Sequence, residues 1–255
     1  MNGITFYPAG NTAAVRYAAA FLAQRGLDIA DQPCPEVTHL LLPVPSFDDA
    51  GRIKGGGDLI HILNSLPQDV TVMGGKLEHP ALSGCRTVDF LKDPWYLAEN
   101  AAITAENAIG IVINNLPVTL NGCPVLIIGW GRIGKCLAFK LKALGAEVTV
   151  AARSDPDRGM LQALGYRAIH PAGLSSALVR YRVLINTAPA PILTRQQTAH
   201  CRPDCIKIDL ASTQGIEGDD VIQARGLPGQ ETPESSGQLI ARTAIRLAVG
   251  KGTLL

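Results

Sequence analysis

Three glycines, at positions 129, 131 and 134, have the spacing of a turn that binds a phosphate group. The uninterrupted apolar run Val125–Ile128 precedes them and is typical of a strand buried on both faces of a parallel sheet. Apolar residues at helical spacing follow. In such a turn the first glycine permits a tight bend, the second lets a pyrophosphate approach the backbone, and the third lets the helix pack on the strand. The segment predicts dinucleotide binding; the alternative is a glycine-rich crossover turn without a ligand.

The end of the next predicted strand, residues 147–151, indicates which dinucleotide is bound. Sites that prefer NAD place an acidic residue near this point for the ribose 2′-hydroxyl, whereas an arginine accommodates the 2′-phosphate of NADP. Ala152 takes the usual place of the acid, and Arg153 and Ser154 follow it. The pattern favours NADP, while the nearby Asp155 leaves NAD open. The alternative is that Arg153 is only a solvated loop charge.

Two later strands, predicted at 183–185 and 206–210, end in polar loops. Ligands of open α/β sheets bind beyond the carboxyl ends of the strands, so these loops join the candidate site. For Asn186 a turn-forming role is equally open, and Asp209 has the alternative of a structural acid at a strand end. The candidate cofactor-binding residues are Gly129, Gly131, Arg132, Ile133, Gly134, Arg153, Ser154, Asn186, Thr187, Ala188, Asp209 and Ala211.

The composition indicates a globular protein with room for two modest domains: 255 residues, 47% of them hydrophobic, with a formal net charge of +1. A charge near zero gives no reason to expect nucleic acid or a membrane surface as a partner. No apolar run reaches the length of a membrane span, and the N-terminus lacks the pattern of a secretory signal. We therefore expect a cytoplasmic protein.

The six cysteines are scattered and are expected to be reduced thiols. His200, Cys201 and Cys205 lie close together in the sequence, but no second pair of ligands accompanies them. We expect no metal.

Strands alternate with helices along the whole chain, which predicts parallel sheets joined by right-handed crossovers. The predicted fold class is α/β with two domains. Residues 1–100 form a flavodoxin-like parallel-sheet domain, and residues 101–235 form a Rossmann dinucleotide-binding domain. Residues 236–255 form a C-terminal helix that packs back on the first domain. A helix is predicted to begin at Thr104.

Motifs in the right order over most of the chain resemble those of the A subunit of dipicolinate synthase, a dehydrogenase-like protein of spore-forming bacteria. The motifs are Gly129–Gly134, Ala151–Ser154, Ile185–Pro189, Ile208–Ser212 and Gly226–Gly229, with Leu42–Val44, Gly74–Gly75, Asn100 and Thr104–Glu106 upstream. The resemblance implies oxidation of dihydrodipicolinate to dipicolinate with a nicotinamide cofactor. It also implies a flavoprotein-like second subunit, action in the mother-cell cytoplasm, and the fold of the D-2-hydroxyacid dehydrogenases. The stretch between Gly215 and Gly226 is short compared with the resembled family, so Val221–Ala224 is expected to be all that remains of the last strand. Homo-oligomer formation stays open.

The keto-acid chemistry of those dehydrogenases is not expected, because no histidine follows His200. For a dicarboxylate substrate, the position of each residue in the chain suggests candidates that donate hydrogen bonds or carry charge. The catalytic candidates are Ser212, Glu106 and Thr232, and the substrate-binding candidates are Lys76, Ser235 and Ser236. A first-turn acid such as Glu106 has the alternative of being only a partner of the helix dipole.

Two other functions stay open. The segments Ala152–Ser154 and Asn186–Pro189 are more loosely similar to those of an NADP-linked reductase like shikimate dehydrogenase. The catalytic lysine–aspartate pair of that family has no convincing counterpart in the first half of this chain. A non-catalytic nucleotide-binding subunit is the third possibility, since the predicted loops are short and the histidine is absent.

Overall fold

The structure is a computed structural model that describes residues 3–249 and divides into two compact units. The first comprises Met1–Asn100 and Pro228–Leu255, and the second comprises Ala101–Leu227. The structure thus places the second boundary after Leu227, whereas the sequence-based boundary lies after residue 235. Of the predicted C-terminal segment 236–255, residues 250–255 lie outside the described part of the chain, as do residues 1–2.

Strands and helices alternate in both units. The first contains β1 (Thr5–Pro8), α1 (Ala13–Gln24), β2 (Asp28–Ile29), β3 (His39–Leu41), α2 (Leu59–Asn64), β4 (Thr71–Gly74), β5 (Arg86–Asp89) and the start of α3 (Pro94–Asn115). The second continues with β6 (Pro124–Ile128), α4 (Arg132–Ala143), β7 (Glu147–Ala151), α5 (Asp155–Ala163), β8 (Arg167–Ile169), α6 (Leu174–Ala177), β9 (Val183–Asn186), α7 (Arg195–Thr198), β10 (Ile206–Asp209) and β11 (Val221–Gln223). The chain ends with α8 (Leu227–Glu231) and α9 (Pro233–Val249).

The sheet of the first unit has the order β2-β1-β3-β4-β5, and every neighbouring pair is parallel. This is the flavodoxin-like order. Phe6, Leu40 and Val72 are fully buried on its strands, so the sheet is covered rather than exposed. The strand β5 was not predicted, because its first half is exposed and the segment lacks a continuous apolar run.

Helix α9 packs against α1 in the first unit. Gly237 permits the close approach, since a Cβ at this position would lie 2.5 Å from the carbonyl oxygen of Ala14 and 2.6 Å from the Cβ of Tyr17. Farther along α9, Arg246 forms an ion pair with Asp93 at 2.5 Å, and both side chains are mostly buried. The helix is therefore held within the first unit by packing and by charge.

The sheet of the second unit has the order β11-β10-β9-β6-β7-β8, again all parallel. Counted from β6 as the first strand, this is the order 6-5-4-1-2-3 of a Rossmann fold read from the opposite edge. Val125 and Ile127 pack into one apolar cluster and Leu126 and Ile128 into another, so β6 is buried on both faces. The predicted α/β class with two parallel sheets is confirmed.

Two local predictions had different outcomes. Helix α3 begins at Pro94 rather than at the predicted Thr104, because the carboxylate of Asp93 accepts the N–H of Tyr96 at 2.7 Å and starts the helix there. The predicted short last strand is confirmed by β11, which pairs with β10. Among residues 3–249, no helix is both long enough and apolar enough to cross a membrane.

Candidate nucleotide-binding site

The turn from β6 into α4 carries the glycine motif, and its first and third glycines are explained by the protein itself. Gly129 has a φ of +106°, which favours glycine. A Cβ on Gly134 would overlap the carbonyl oxygen of Gly129, so this glycine lets the helix lie close to the turn. Both roles are those expected of the first and third glycines in a dinucleotide-binding turn.

The middle glycine has no such explanation within the protein. Gly131 has a φ of −76°, which any residue adopts, and a Cβ there would meet no heavy atom within 4 Å. Gly131 is also the N-cap of α4, where no side chain bonds to the helix start. The first N–H groups of a helix attract an anion when no cap takes them. The turn therefore fits a pyrophosphate that approaches the backbone at Gly131, with Arg132 and Ile133 in the first helical turn.

The end of β9 holds this turn in place. The N–H and hydroxyl of Thr187 both donate to the carbonyl oxygen of Ile128, at 2.8 and 3.0 Å. Asn186 is fully buried, and its side chain bonds to both backbone groups of Ala188, at 3.0 and 3.1 Å. The side chain of Asn186 thus has the turn-forming role that was its alternative. Its direct contact with the cofactor is not supported, whereas the backbone at Thr187 and Ala188 remains a candidate.

Asp209, at the end of β10, likewise orders the loop that follows it. Its carboxylate is fully buried and accepts hydrogen bonds from the side chain of Asn186 (2.9 Å) and from the backbone N–H groups of Ala211 (3.1 Å), Gly215 (2.7 Å) and Ile216 (3.1 Å). Both oxygens are engaged inside the protein. These contacts give Asp209 a positioning role, and its contact with the cofactor stays a prediction.

The end of β7 contains a cationic group that reasoning from the sequence missed. The guanidinium of Arg158, on α5, donates to the carbonyl oxygens of Ala152 (2.8 Å) and Arg153 (2.6 Å) and forms an ion pair with Asp155. Arg153 itself is exposed, and Ser154 caps α5 by accepting the N–H of Asp157 at 3.4 Å. Asp155, the residue that left NAD open, is thus neutralised by Arg158. The signal for Arg158 was its place one turn into the helix that follows Arg153.

The catalytic candidates of the second unit have different surroundings. Ser212 is exposed in the loop after β10, next to Ala211. Glu106 is 75% exposed and pairs with Lys140 on α4 at 2.9 Å. Lys140 lies eight residues beyond the start of α4 at Arg132, which is about 12 Å along the helix axis. The structure therefore does not support Glu106 as a catalytic base: its carboxylate links α3 to α4 away from the glycine turn.

The remaining candidates belong to the first unit. Lys76 follows β4 with an exposed side chain and a φ of +56°, and its N–H donates to Asp89 at 3.3 Å. Thr232 lies between α8 and α9, and Ser235 is exposed in the first turn of α9. Ser236 is 6% exposed, so its hydroxyl is a poor candidate for binding a substrate. Among the described residues, no group of three or more metal-binding side chains is present.

Comparison with known proteins gives a consistent result for the second unit. Residues 111–225 match the family model described as D-isomer specific 2-hydroxyacid dehydrogenase, NAD binding domain. The match includes the glycine turn and all six strands of the second sheet. The C-terminal half therefore holds a Rossmann-like NAD-binding domain, which implies a nicotinamide dinucleotide as cofactor.

Three matches, to relatives from two Bacillus species, cover more of the chain. The dipicolinate synthase A subunit of Bacillus subtilis (strain 168) is 31% identical over 156 residues, which are 58% of this chain and 52% of the relative. The chain thus spans about half the length of this curated relative. The crystal structure of the dipicolinate synthase A subunit from Bacillus halodurans matches with a TM-score of 0.85 and 23% identity, over 96% of this chain and 97% of the other. The corresponding Bacillus subtilis structure matches with a TM-score of 0.83 and 23% identity, over 98% and 97%. At this identity the two structures show a shared fold.

Proposed function

We propose that the chain oxidises dihydrodipicolinate to dipicolinate with NADP, a proposal that its similarity to the A subunit of dipicolinate synthase supports. It acts as the dehydrogenase-like subunit beside a flavoprotein-like second subunit, in the mother-cell cytoplasm of a sporulating bacterium. The observation that carries the proposal is Gly131, where neither the backbone nor the packing of the chain requires glycine and the approach of a pyrophosphate does.

The reaction removes one hydride and one proton from the dihydropyridine ring. Bound NADP⁺ would supply the nicotinamide ring as the hydride acceptor. The proton passes to water, because formation of the aromatic ring favours the step and a strong protein base is not required. The chain's contribution is then to orient the ring and the nicotinamide. Within the second unit, the exposed Ser212 in the loop after β10 remains the proposed donor to a substrate carboxylate.

The preference for NADP rests on the end of β7. Arg158 holds two carbonyl oxygens there and neutralises Asp155, which leaves the exposed guanidinium of Arg153 for a 2′-phosphate. We expect Arg153→Ala to weaken NADP binding by about 1.5–3 kcal/mol and to leave NAD binding nearly unchanged. Isothermal titration with both cofactors measures the difference. Arg167→Ala, which removes another exposed arginine of the same unit, is the matched control and keeps the wild-type ratio. An equal loss for both cofactors would contradict the assignment.

The function is tested by dipicolinate formation from freshly generated dihydrodipicolinate with the purified chain. The reaction is run with NADP and with NAD, each with and without a flavoprotein-like partner subunit. We expect product with NADP and none with Gly131→Val. Product that requires the partner identifies a two-subunit enzyme.

A second candidate function is a nucleotide-binding subunit without turnover of its own. The specific observation in its favour is the ion pair of Glu106, which engages the acid that had been the candidate base. Cofactor binding without product in any arm of the assay supports this function and contradicts the first.

A further inference from the structure

The turn between α7 and β10 contains two cysteines that the nucleotide site does not use. Cys201 is partly exposed, and Cys205 is 7% exposed and belongs to an apolar cluster against which Cys201 packs. The two cysteines are four residues apart in this turn, and the side chain of Cys201 packs against the same apolar cluster that contains Cys205. The pair thus combines one partly exposed cysteine with a second that is buried in the cluster on which the first one packs.

The backbone and its charged neighbours hold this turn in one shape. The N–H of Cys201 donates to the carbonyl oxygen of Thr198, and the N–H of Cys205 donates to the carbonyl oxygen of Arg202, each at 3.0 Å. The guanidinium of Arg202 binds both carboxylate oxygens of Asp204, at 2.8 and 3.1 Å, and Arg182 adds a third bond at 3.1 Å. These two contacts of arginine guanidinium groups with one carboxylate limit the conformations that the turn can adopt. The turn that carries both thiols is therefore ordered by its own contacts.

A buried cation lies beside the pair. Lys207 is 4% exposed, and its ammonium group is 2.6 Å from a carboxylate oxygen of Asp220 and 3.4 Å from the carbonyl oxygen of Cys205. The neighbouring Cys205 thiol, and then the charge of Lys207, lower the pKa of the Cys201 thiol against the opposing effects of burial and of Asp220. The neighbouring Cys201 thiol, and then burial, raise the pKa of the Cys205 thiol. A nearby cation and a thiol donor are the features that mark the attacking cysteine of a dithiol.

We propose that Cys201 and Cys205 form a redox-active dithiol, which a low-molecular-weight disulfide such as oxidised glutathione converts to an intramolecular disulfide. The thiolate of Cys201 attacks one sulfur of oxidised glutathione, and the bond between its two sulfurs breaks to release one glutathione thiolate. Cys205 then loses its proton to solvent and attacks the Cys201 sulfur of the mixed disulfide, which expels the second glutathione thiolate. Two protein thiols are oxidised and one disulfide is reduced to two thiols.

The experiment counts and locates thiols after exposure to oxidised glutathione. The reduced chain has six cysteines. We expect two thiols to be lost, with a peptide in which Cys201 and Cys205 are linked and the mass of two hydrogen atoms is missing. Dithiothreitol restores all six. Retention of six free thiols under oxidant that oxidises a reference dithiol would overturn the proposal.

Single substitutions test the order of attack. Cys205→Ser stops the reaction at one glutathione adduct on Cys201, whereas Cys201→Ser leaves Cys205 without an adduct. Cys85→Ser removes a partly exposed thiol of the first unit and is the control that reacts like the wild type. Circular dichroism confirms that each variant is folded, and Cys205→Ala replaces Cys205→Ser if the hydroxyl unfolds the apolar cluster. An adduct spread equally over Cys34, Cys85 and Cys201 would contradict the assignment of Cys201 as the attacking thiol.

Discussion

Each unit contains a parallel strand that leads through a glycine turn into a helix of 12 residues, α1 in the first unit and α4 in the second. The two turns differ in what surrounds them. In the first, a Cβ on Gly10 would lie 2.8 Å from Pro43 and 2.9 Å from Ile53, and the hydroxyl of Thr12 caps the helix by accepting the N–H of Val15 at 3.3 Å. In the second, Gly131 has no protein atom within 4 Å of its Cβ position, and no side chain caps the helix.

The difference separates two reasons for a glycine before a helix. The first turn uses glycine because its own chain packs against it, and it satisfies the helix start with a side chain. The second turn leaves both the space and the N–H groups for something that the chain does not supply. The same strand–glycine–helix pattern is therefore structural in one unit and, as we propose, nucleotide-binding in the other.

The largest effect is expected for Gly131→Val, which tests whether the second turn binds the cofactor. A Cβ at this position meets no heavy atom within 4 Å, so the variant is expected to fold with only the small loss of stability that an apolar N-cap causes, but its side chain occupies the approach of the pyrophosphate. We expect NADP affinity to fall by roughly a hundredfold or more, which is about 2.7 kcal/mol. Titration that follows the fluorescence of Trp130, which lies within the turn, measures it.

The matched control is Gly159→Val. Gly159 is exposed on α5 in the same unit, has an ordinary φ, and also meets nothing within 4 Å of a Cβ. The Gly159→Val variant is expected to bind NADP with wild-type affinity. Wild-type affinity in Gly131→Val would show that the uncapped turn is not the cofactor site.

For Gly10→Ala we expect lower stability of the fold, whereas Gly131→Val is expected to lower cofactor affinity. Its φ is +83°, and the added methyl group would also overlap Pro43 and Ile53, so we expect a loss of about 2 kcal/mol in the free energy of unfolding. Cofactor affinity stays unchanged. Urea unfolding in a Trp130→Phe background follows Trp95, which lies in the first unit.

Gly56→Ala separates the two causes. Gly56 also has a positive φ, +94°, but a Cβ there meets nothing within 4 Å. We expect Gly56→Ala to lose only the free energy of unfolding that the positive φ costs an alanine, so its loss is smaller than that of Gly10→Ala. Equal losses would mean that packing around Gly10 contributes nothing.

Removal of the cap in the first turn has a smaller effect. Thr12→Ala deletes the hydroxyl that accepts the N–H of Val15, and the expected loss is about 1 kcal/mol in the free energy of unfolding of the first unit. Thr12→Ser retains the acceptor and is expected to keep most of the stability. A loss as large in Thr12→Ser as in Thr12→Ala would show that the methyl group, and not the cap, is what matters.

Local patterns predicted most of the fold and the centre of the site. The run Val125–Ile128 and the glycines after it combine strand, turn and helix signals that all agree, so they identified the turn without tertiary information. The exposed half of β5 carries no such pattern, and it is a strand only because β4 lies beside it. The roles of Glu106, Asp209 and Arg158 depend on partners distant in sequence or on how the end of a strand folds back. Spacing along the chain cannot show which carboxylate is already paired.

The smallest expected effect is a pH dependence confined to the first unit. His39 lies on β3 beside Phe6 of β1, the strand that leads into the first turn, and burial, followed by the charge of Arg86, lowers the pKa of its imidazole from 6.5. Between that lowered pKa and 6.5 the unfolded chain binds more protons than the folded chain. The free energy of unfolding therefore falls as the pH is lowered through 6.5 and levels off below the folded pKa. His39→Gln is expected to remove this part of the slope in urea unfolding at several pH values, followed by Trp95, while NADP affinity has the same pH dependence in both proteins. An identical unfolding slope in His39→Gln and the wild type would show that the imidazole does not link acid to the stability of the first unit.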